Sequence, residues 1–441
     1  MDTIRARVGR FLEKYGMDPR GIDIGQGCEV FIKEMESGLE GRESSLKMLP
    51  SYIGADAEIP VDKPVIVIDA GGTNLRTAIV RFDSHKRPVV EDFSLHAMPG
   101  IKEEVSEEEF FEAIVWHMLP ILDKSDKIGF CFSYPTEILP DKDGRLIRLC
   151  KEIKAKSVEG RVLGKSLIKT MRRMGLDCDK RIVLLNDTVA TLLGGLTANP
   201  GRVYDGYIGF ILGTGTNTCY IEKNRNIGKL NYPPSDEGSM IVNIESGAYG
   251  KAPRGEIDLE FDGKSVNPGE YVFEKMISGG YQGGLLLEAA RKAAAEGLFS
   301  KCFDERLKSI NGLEAREIDD FLSDPCSGGS RLGFCCSEDM REAQSGDRQT
   351  LFYLIDAIME RAAKLAAINL FAVIQKTGRG MNPCRPVCVA AEGSTFYKSG
   401  LFRGKLDYYV RTYLNETRGI YCEFVRAENA TLIGTALAGL Q

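Results

Sequence analysis

Asp69-Ala-Gly-Gly-Thr-Asn74 joins two apolar runs, Pro64 to Ile68 before it and Leu75 to Phe82 after it. Its paired glycines, Gly71 and Gly72, let backbone N–H groups approach phosphate oxygens with no Cβ in the way, and Thr73 and Asn74 add side-chain donors. Asp69, at the end of a buried strand, is placed to hold Mg2+ directly or through water. An ordinary β-hairpin turn accounts for the same residues equally well, since Gly-Gly is a common choice there. A second turn, Gly213-Thr-Gly-Thr-Asn217, again lies between apolar runs and changes that balance. Two such turns in matching positions can face one triphosphate from opposite sides. Ala391-Glu-Gly393-Ser394 ends another apolar run, where a small residue lets a flat ring or ribose lie against the backbone. Many α/β units end that way, so this third piece is weak alone.

Asp187 follows the apolar run Ile182 to Leu185 and Asn186, and it opens a helix over 188–196. As a helix N-cap, Asp is a favoured residue in its own right. A helix N-terminus also keeps a carboxylate ionised. Beside a nucleotide, such a carboxylate can accept the proton of an attacking hydroxyl, as in phosphoryl transfer to an alcohol. In the company of two phosphate turns the two readings carry comparable weight. Gly160-Arg-Val-Leu-Gly164-Lys165-Ser166 is one residue short of a P-loop and follows no strand, so it reads as the start of an ordinary helix.

The elements that must position these residues alternate between strand and helix. Residues 1–60 are helical, with Ile4, Val8, Phe11, Leu12 and Tyr15 on one face and Val30, Phe31 and Met35 in a second helix. Strands follow at 64–68 and 75–82, a helix over 107–122, a strand at 127–132, a helix near 160–175 and a strand at 181–185. The strand–turn–strand grammar recurs at 207–212 and 218–222. Long helical stretches cover 272–297 and 349–376, a strand covers 386–391, and a final helix starts at Ala430. Segment 298–345 reads as polar and irregular. The pattern predicts two α/β lobes of related topology with nucleotide in the crevice between them.

Composition narrows the function classes. The 441 residues are 43% apolar, ample for buried cores, and 57 Lys plus Arg against 63 Asp plus Glu give a net charge of −6. That balance argues against a chain built to grip nucleic acid or an anionic membrane. No apolar run reaches the length of a membrane span, and the N-terminus mixes charges of both signs where a secretory signal would be apolar. The twelve cysteines are scattered, many inside apolar runs such as Gly129-Phe-Cys-Phe132, and the three histidines sit far from the cysteine pairs. Reduced, buried thiols fit better than zinc ligands. Proton transfer then falls to a carboxylate or a lysine.

Over most of its length the chain resembles the eukaryotic-type hexokinases, members of the actin-like sugar-kinase superfamily. Ser45 to Ile53 resembles that family's lead-in, Asp69 to Arg76 its first phosphate motif, and Phe130-Cys-Phe-Ser133-Tyr-Pro135 its sugar-binding segment. Leu185 to Ala190 is similar to the segment holding its catalytic Asp, and Leu212 to Asn217 to its second phosphate motif. Asn243-Ile-Glu245-Ser-Gly-Ala-Tyr-Gly250 and Asn267 to Gly279, which contains Glu274, resemble two long and idiosyncratic segments that each lend a glutamate to the sugar.

The resemblance implies an ATP-dependent hexose 6-phosphotransferase with Asp187 as base for the sugar 6-hydroxyl, closing on sugar. It implies hexose contacts from Ser133, Asn186, Asp187, Asn217, Glu245 and Glu274, and from Lys151 in Leu149-Cys-Lys-Glu-Ile153, with Lys151 counted as catalytic beside Asp187. Gly71 to Asn74, Arg76, Thr214 and Gly215 would surround the phosphates, Gly393 and Ser394 the adenosine, and Asp69 Mg2+. Glucose is the default hexose, with mannose, fructose and glucosamine as alternatives. Residues 1–60 would pack on the large lobe, 61–195 plus 428–441 form the small lobe, and 196–427 form the large lobe. The expected setting is cytoplasmic, without nucleic acid or membrane.

Three departures bear on selectivity. Cys150 stands where the family has a sugar-contacting Thr, Ser246 where it has a Trp, and Ala430 to Ala436 lacks a basic residue common there. A hexokinase-like sugar sensor with little catalysis is the main alternative, and an actin- or chaperone-like ATPase ranks third because it explains neither Glu245 nor Glu274.

Overall fold

The computed structural model describes residues 3–55, 58–149, 153–230, 235, 237–336 and 346–441. A short strand, β1 (Leu49–Pro50), comes first. Then follow β2 (Val65–Ala70), β3 (Asn74–Phe82), β4 (Pro88–Ala97) and β5 (Lys127–Phe132). A small hairpin of β6 (Thr136–Ile138) and β7 (Gly144–Leu146) precedes β8 (Arg181–Leu185). The second half contributes β9 (Gly206–Leu212), β10 (Thr216–Lys223), β11 (Ser239–Asn243), β12 (Val387–Glu392) and β13 (Cys422–Val425).

These strands form two sheets of the same design. One has the order β4-β3-β2-β5-β8 and the other β11-β10-β9-β12-β13, with β1 added outside β11. In each, the first three strands are an antiparallel meander and the last two run parallel to the first. The recurrence expected from the sequence is therefore real, and both phosphate-suited turns sit at the same hairpin, β2–β3 and β9–β10. β2 is buried at every position, which a central strand covered on both faces requires.

The helices that follow β8 and β13 change sides. Helix Asp187–Ala198 leaves β8 but packs on β9 and β12, with Gly195 against Ala390. Helix Ala430–Gly439 leaves β13 but packs on β2 and β5, with Thr435 against Gly129. The two helices cross where a Cβ on Gly434 would overlap the Ala190 carbonyl and one on Gly194 would press on Ala430. Each sheet thus receives a helix from the other, and the cleft forms at their crossing. Helix Ile4–Lys14 packs through Val8, Phe11 and Leu12 beside the long helix Asp347–Thr377, and helix Ile24–Leu39 packs through Cys28, Phe31 and Met35 near β9 to β11.

Several expectations need correction. The stretch 272–297 is two helices, Val272–Ile277 and Gly279–Ala295, broken at Ser278. Segment 298–345 is not irregular where it is described: Lys301–Lys308, Ala315–Ser323 and Arg331–Cys335 are helices. Each is short, yet buries a pair at helical spacing: Phe303 with Leu307, Ile318 with Phe321, and Leu332 with Cys335. The predicted helix 107–122 ends at Met118 and continues as a 3-10 turn, Leu119–Lys124. Helix Leu163–Arg173, in the near P-loop segment, has its first N–H groups occupied internally: Asp143 accepts from Gly164 at 2.7 Å and Lys165 at 3.0 Å. The eleven described cysteines are all free, and among the described residues no helix is long and apolar enough to cross a membrane.

Candidate active site between the lobes

A cleft of about 1130 Å³ opens between the two sheets, lined by the first turn, Ser133 and Asp187 on one side and by Ile211, Thr214 and Glu392 on the other. The first turn is braced from behind. Gly71 N–H donates to the Asn74 carbonyl at 2.9 Å, Met98 N–H to the Thr73 carbonyl at 3.0 Å, and the Tyr134 hydroxyl to the Gly71 and Gly72 carbonyls at 3.1 Å. Gly72 and Thr73 are left exposed at the tip. Asp69 is buried at the end of β2, where it accepts from Arg76 Nη1 at 2.7 Å and Thr431 Oγ1 at 3.3 Å. The phosphate partner expected of Arg76 is therefore also the internal counter-charge of Asp69.

The second turn is held by a helix start. The Gly213 and Thr214 carbonyls accept from Gly279 and Gly280 N–H at 2.8 and 3.1 Å, and Thr395 Oγ1 donates to Gly213 O at 2.9 Å. Gly393 adopts φ +113° and packs so closely on this turn that a Cβ would overlap the Leu212 carbonyl. Gly393 and Ser394 are thereby brought against Gly213.

Asp187 is not the cap of its helix, which corrects one of the two readings. Asn186 is the N-cap: its side-chain oxygen accepts the Thr188 N–H at 2.8 Å, leaving Asp187 as the first helical residue, half-buried and facing the cleft. Its carboxylate accepts from Thr188 Oγ1 at 3.2 Å. Burial pushes its pKa up to about 6, Thr188 opposes the shift, and the charges of Glu245 and Asp69 add to it. The helix terminus does not hold the group at an ordinary carboxylate value, as the sequence suggested. At neutral pH the group is still mostly ionised, and it is a stronger base than an ordinary aspartate.

Beside β10 and β11 a polar cluster forms. Asn217 Nδ2 donates to Asn243 Oδ1 at 2.8 Å and Glu245 Oε1 at 3.1 Å, and Asn243 Nδ2 donates to the same Glu245 oxygen at 2.9 Å. The Tyr271 hydroxyl donates to Glu245 Oε2 at 3.5 Å. Glu274 Oε2 accepts the Thr216 N–H at 2.9 Å. Glu245 and Tyr271 both adopt positive φ, 59° and 48°, an uncommon conformation for residues that carry a Cβ.

The structure thus gathers Asp69, Gly71 to Asn74, Arg76, Ser133, Asp187 and Thr214 around one cleft, and it joins Asn217 to Glu245 and Gly393 to the second turn. Lys151, with Cys150 and Glu152, lies outside the described residues. Sequence reasoning assigned no role to Asn243, Tyr134, Tyr271 or the stretch Arg426 to Thr431, which lines the cleft beside Asp69. The repeated topology carries a signal for that stretch, because the β13-to-helix junction is the counterpart of the β8-to-helix junction that bears Asp187.

Comparison with known proteins follows from this geometry. Two family models, each described as Hexokinase, match residues 16–196 and 207–441. Hexokinase-2 of Homo sapiens is 31% identical over 434 residues, covering 92% of this chain and 45% of that protein, so the chain spans under half of this relative's length. Hexokinase-2 of Arabidopsis thaliana is 28% identical over 440 residues, covering 93% of this chain and 85% of that protein. Hexokinase-5 of Oryza sativa subsp. japonica is 30% identical over 384 residues, covering 80% and 73%. Among solved structures, a hexokinase from Schistosoma mansoni complexed with glucose superposes with a TM-score of 0.78 at 24% identity, covering 99% of both chains, a likeness of fold.

Proposed function

The chain belongs to the hexokinase family, and on that premise we propose that it is an ATP-dependent hexose 6-phosphotransferase with Asp187 as the base. The observation that carries this reading is the Asp187 carboxylate, freed from capping by Asn186 and facing a cleft shared with the first phosphate turn.

ATP would lie with its phosphates between Gly71 to Asn74 and Arg76 on one side and Thr214 and Gly215 on the other, and its adenosine against Gly393 and Ser394. Asp69 suits a cation that takes most of its ligands from phosphate oxygens and water, as Mg2+ does. Mg2+ there would offset phosphate charge. Ser133, Asn186, Asn217, Glu245 and Glu274, together with Lys151, would bind the hexose. Carboxylates fixed by amides, as Glu245 is by Asn217 and Asn243, accept sugar hydroxyls in set directions, so an epimer leaves buried groups unpaired. Asp187 takes the proton of the 6-hydroxyl as that oxygen attacks the terminal phosphorus, ADP departs, and the proton later returns to water. Closure of the lobes on sugar keeps water from taking the place of the hydroxyl.

Glucose is the proposed hexose, with mannose, fructose and glucosamine next. The proposed lobes are 61–195 with 428–441 and 196–427, with the lead-in 1–60 on the latter, which the packing of the first two helices supports; helix Asp187–Ala198 spans the boundary and packs on the sheet of the second lobe. The free cysteines fit a reducing cytoplasm. The test is ADP production from ATP·Mg2+ across a hexose panel with a no-sugar control. Turnover with one or a few hexoses and almost none without sugar is expected. Glucose-dependent thermal stabilisation with no turnover on any hexose would replace the enzyme with a sugar sensor.

A further inference from the structure

At the sugar end of the cleft one arm of the small lobe reaches across to the large lobe. Beyond Ser133 the chain forms the β6–β7 hairpin, and Arg148 follows it by two residues. The backbone on both sides of Arg148 is fixed to the small lobe: Ile147 N–H donates to the Pro135 carbonyl at 2.9 Å, and Leu149 N–H to the Glu159 carboxylate at 3.0 Å. Its guanidinium points the other way. Nη2 donates to Glu270 Oε2 at 2.6 Å, and Cζ lies 5.9 Å from the centre of the Tyr271 ring, with Lys47 Nζ 5.7 Å from the same ring.

Glu270 and Tyr271 directly precede helix Val272–Ile277, which carries Glu274, and the Tyr271 hydroxyl reaches Glu245. The segment is stiff. Gly269 N–H donates to the Asp262 carboxylate at 3.0 Å, and buried Lys275 binds Asp262 at 2.5 Å and the Asn267 carbonyl at 2.6 Å. Tyr271 itself sits at φ 48°. A force on Glu270 or Tyr271 is therefore passed to two carboxylates of the proposed sugar site rather than lost in a slack loop.

We propose that Arg148 is a positioning residue that latches the small-lobe arm onto Glu270 and Tyr271, so that docking of the arm and alignment of Glu245 and Glu274 occur together. The proposal rests on the hexose reading above. An ion pair this exposed adds little by itself, which suits a contact that must open and close each turnover. Arginine is the fitting residue because its planar guanidinium serves a carboxylate and an aromatic face at once, which an ammonium does less well. When the latch is lost, hexose binding must assemble the site unaided, and apparent affinity falls by the fraction of molecules no longer pre-set.

The test is a double-mutant cycle read by hexose affinity, from hexose-dependent thermal shifts and from KM, in wild type, Arg148→Glu, Glu270→Arg and the double variant. Each single variant is expected to weaken hexose affinity about fivefold, and the exchanged pair to restore it to within about twofold of wild type. Melting temperature without hexose and kcat at saturation should stay near wild type in all three. Unchanged affinity in the singles, losses that simply add in the double variant, or a drop in sugar-free stability that accounts for the effect would each overturn the latch. If wild type itself binds no hexose, the functional reading fails instead.

Discussion

Glu274 Oε2 accepts the backbone N–H of Thr216 at 2.9 Å, so a carboxylate proposed to hold hexose is bonded to the turn proposed to hold phosphate. Gly215 makes the contact possible, because a Cβ there would come 2.5 Å from the same oxygen. Gly215→Ala should displace Glu274 and raise hexose KM about tenfold, of the order expected for losing one charged hydrogen bond. Gly72→Ala is the matched control: its Cβ would meet nothing, so melting temperature and hexose KM should hold. Equal effects of the two substitutions on hexose KM would break the link between Glu274 and the turn.

The Asp187 carboxylate, with its pKa raised to about 6, must be ionised to act as base. Log kcat/KM for hexose at saturating ATP should climb with unit slope at low pH, bend near pH 6 and flatten above it. A bend near pH 4 would mean that the working base is an unperturbed carboxylate and not this one.

The same shift has a stability consequence of opposite sense. Folded Asp187 holds a proton more tightly than the unfolded chain, whose value is 3.8, so between these pH values the native state binds more protons and stability falls as pH rises. Keeping Asp187 charged in the cleft is therefore a standing cost at neutral pH. Asp187→Asn should melt higher than wild type at pH 7.5, and the gap should narrow as pH falls through 6 toward 4. A variant that melts lower than wild type at pH 7.5 would contradict this account.

Gly393 has φ +113° and no room for a Cβ beside the Leu212 carbonyl. Gly393→Ala forces the turn Gly213 to Gly215 and the Ser394 helix apart. The expected result is a lower melting temperature and an ATP KM raised more than the hexose KM. Hexose KM rising as much as ATP KM would show that the strain is not confined to the nucleotide side.

What could be read from the sequence was local. The two glycine turns, the recurring strand–turn–strand unit and Asp187 each announce themselves within about ten residues, where period-two apolar runs and turn chemistry act. The capping role went to the wrong neighbour because Asn186 and Asp187 are both good caps, and only the backbone at Asn186 and its bond to the Thr188 N–H decide between them. The exchange of helices between lobes and the bonds of Glu245 with Asn217 and Tyr271 depend on contacts between distant segments. No period or spacing encodes them. The helices inside 298–345 were hidden by their shortness, since each buries only two or three residues.

The most direct measurement is identification of the products from ATP·Mg2+ and glucose by phosphorus NMR, with wild type and Asp187→Ala side by side. The account predicts glucose 6-phosphate and ADP from wild type and a rate at least about a hundredfold lower from the variant, with glucose-dependent thermal stabilisation kept in both. Inorganic phosphate as the product whether or not glucose is present, or glucose 6-phosphate formed by the variant at the wild-type rate, would contradict it.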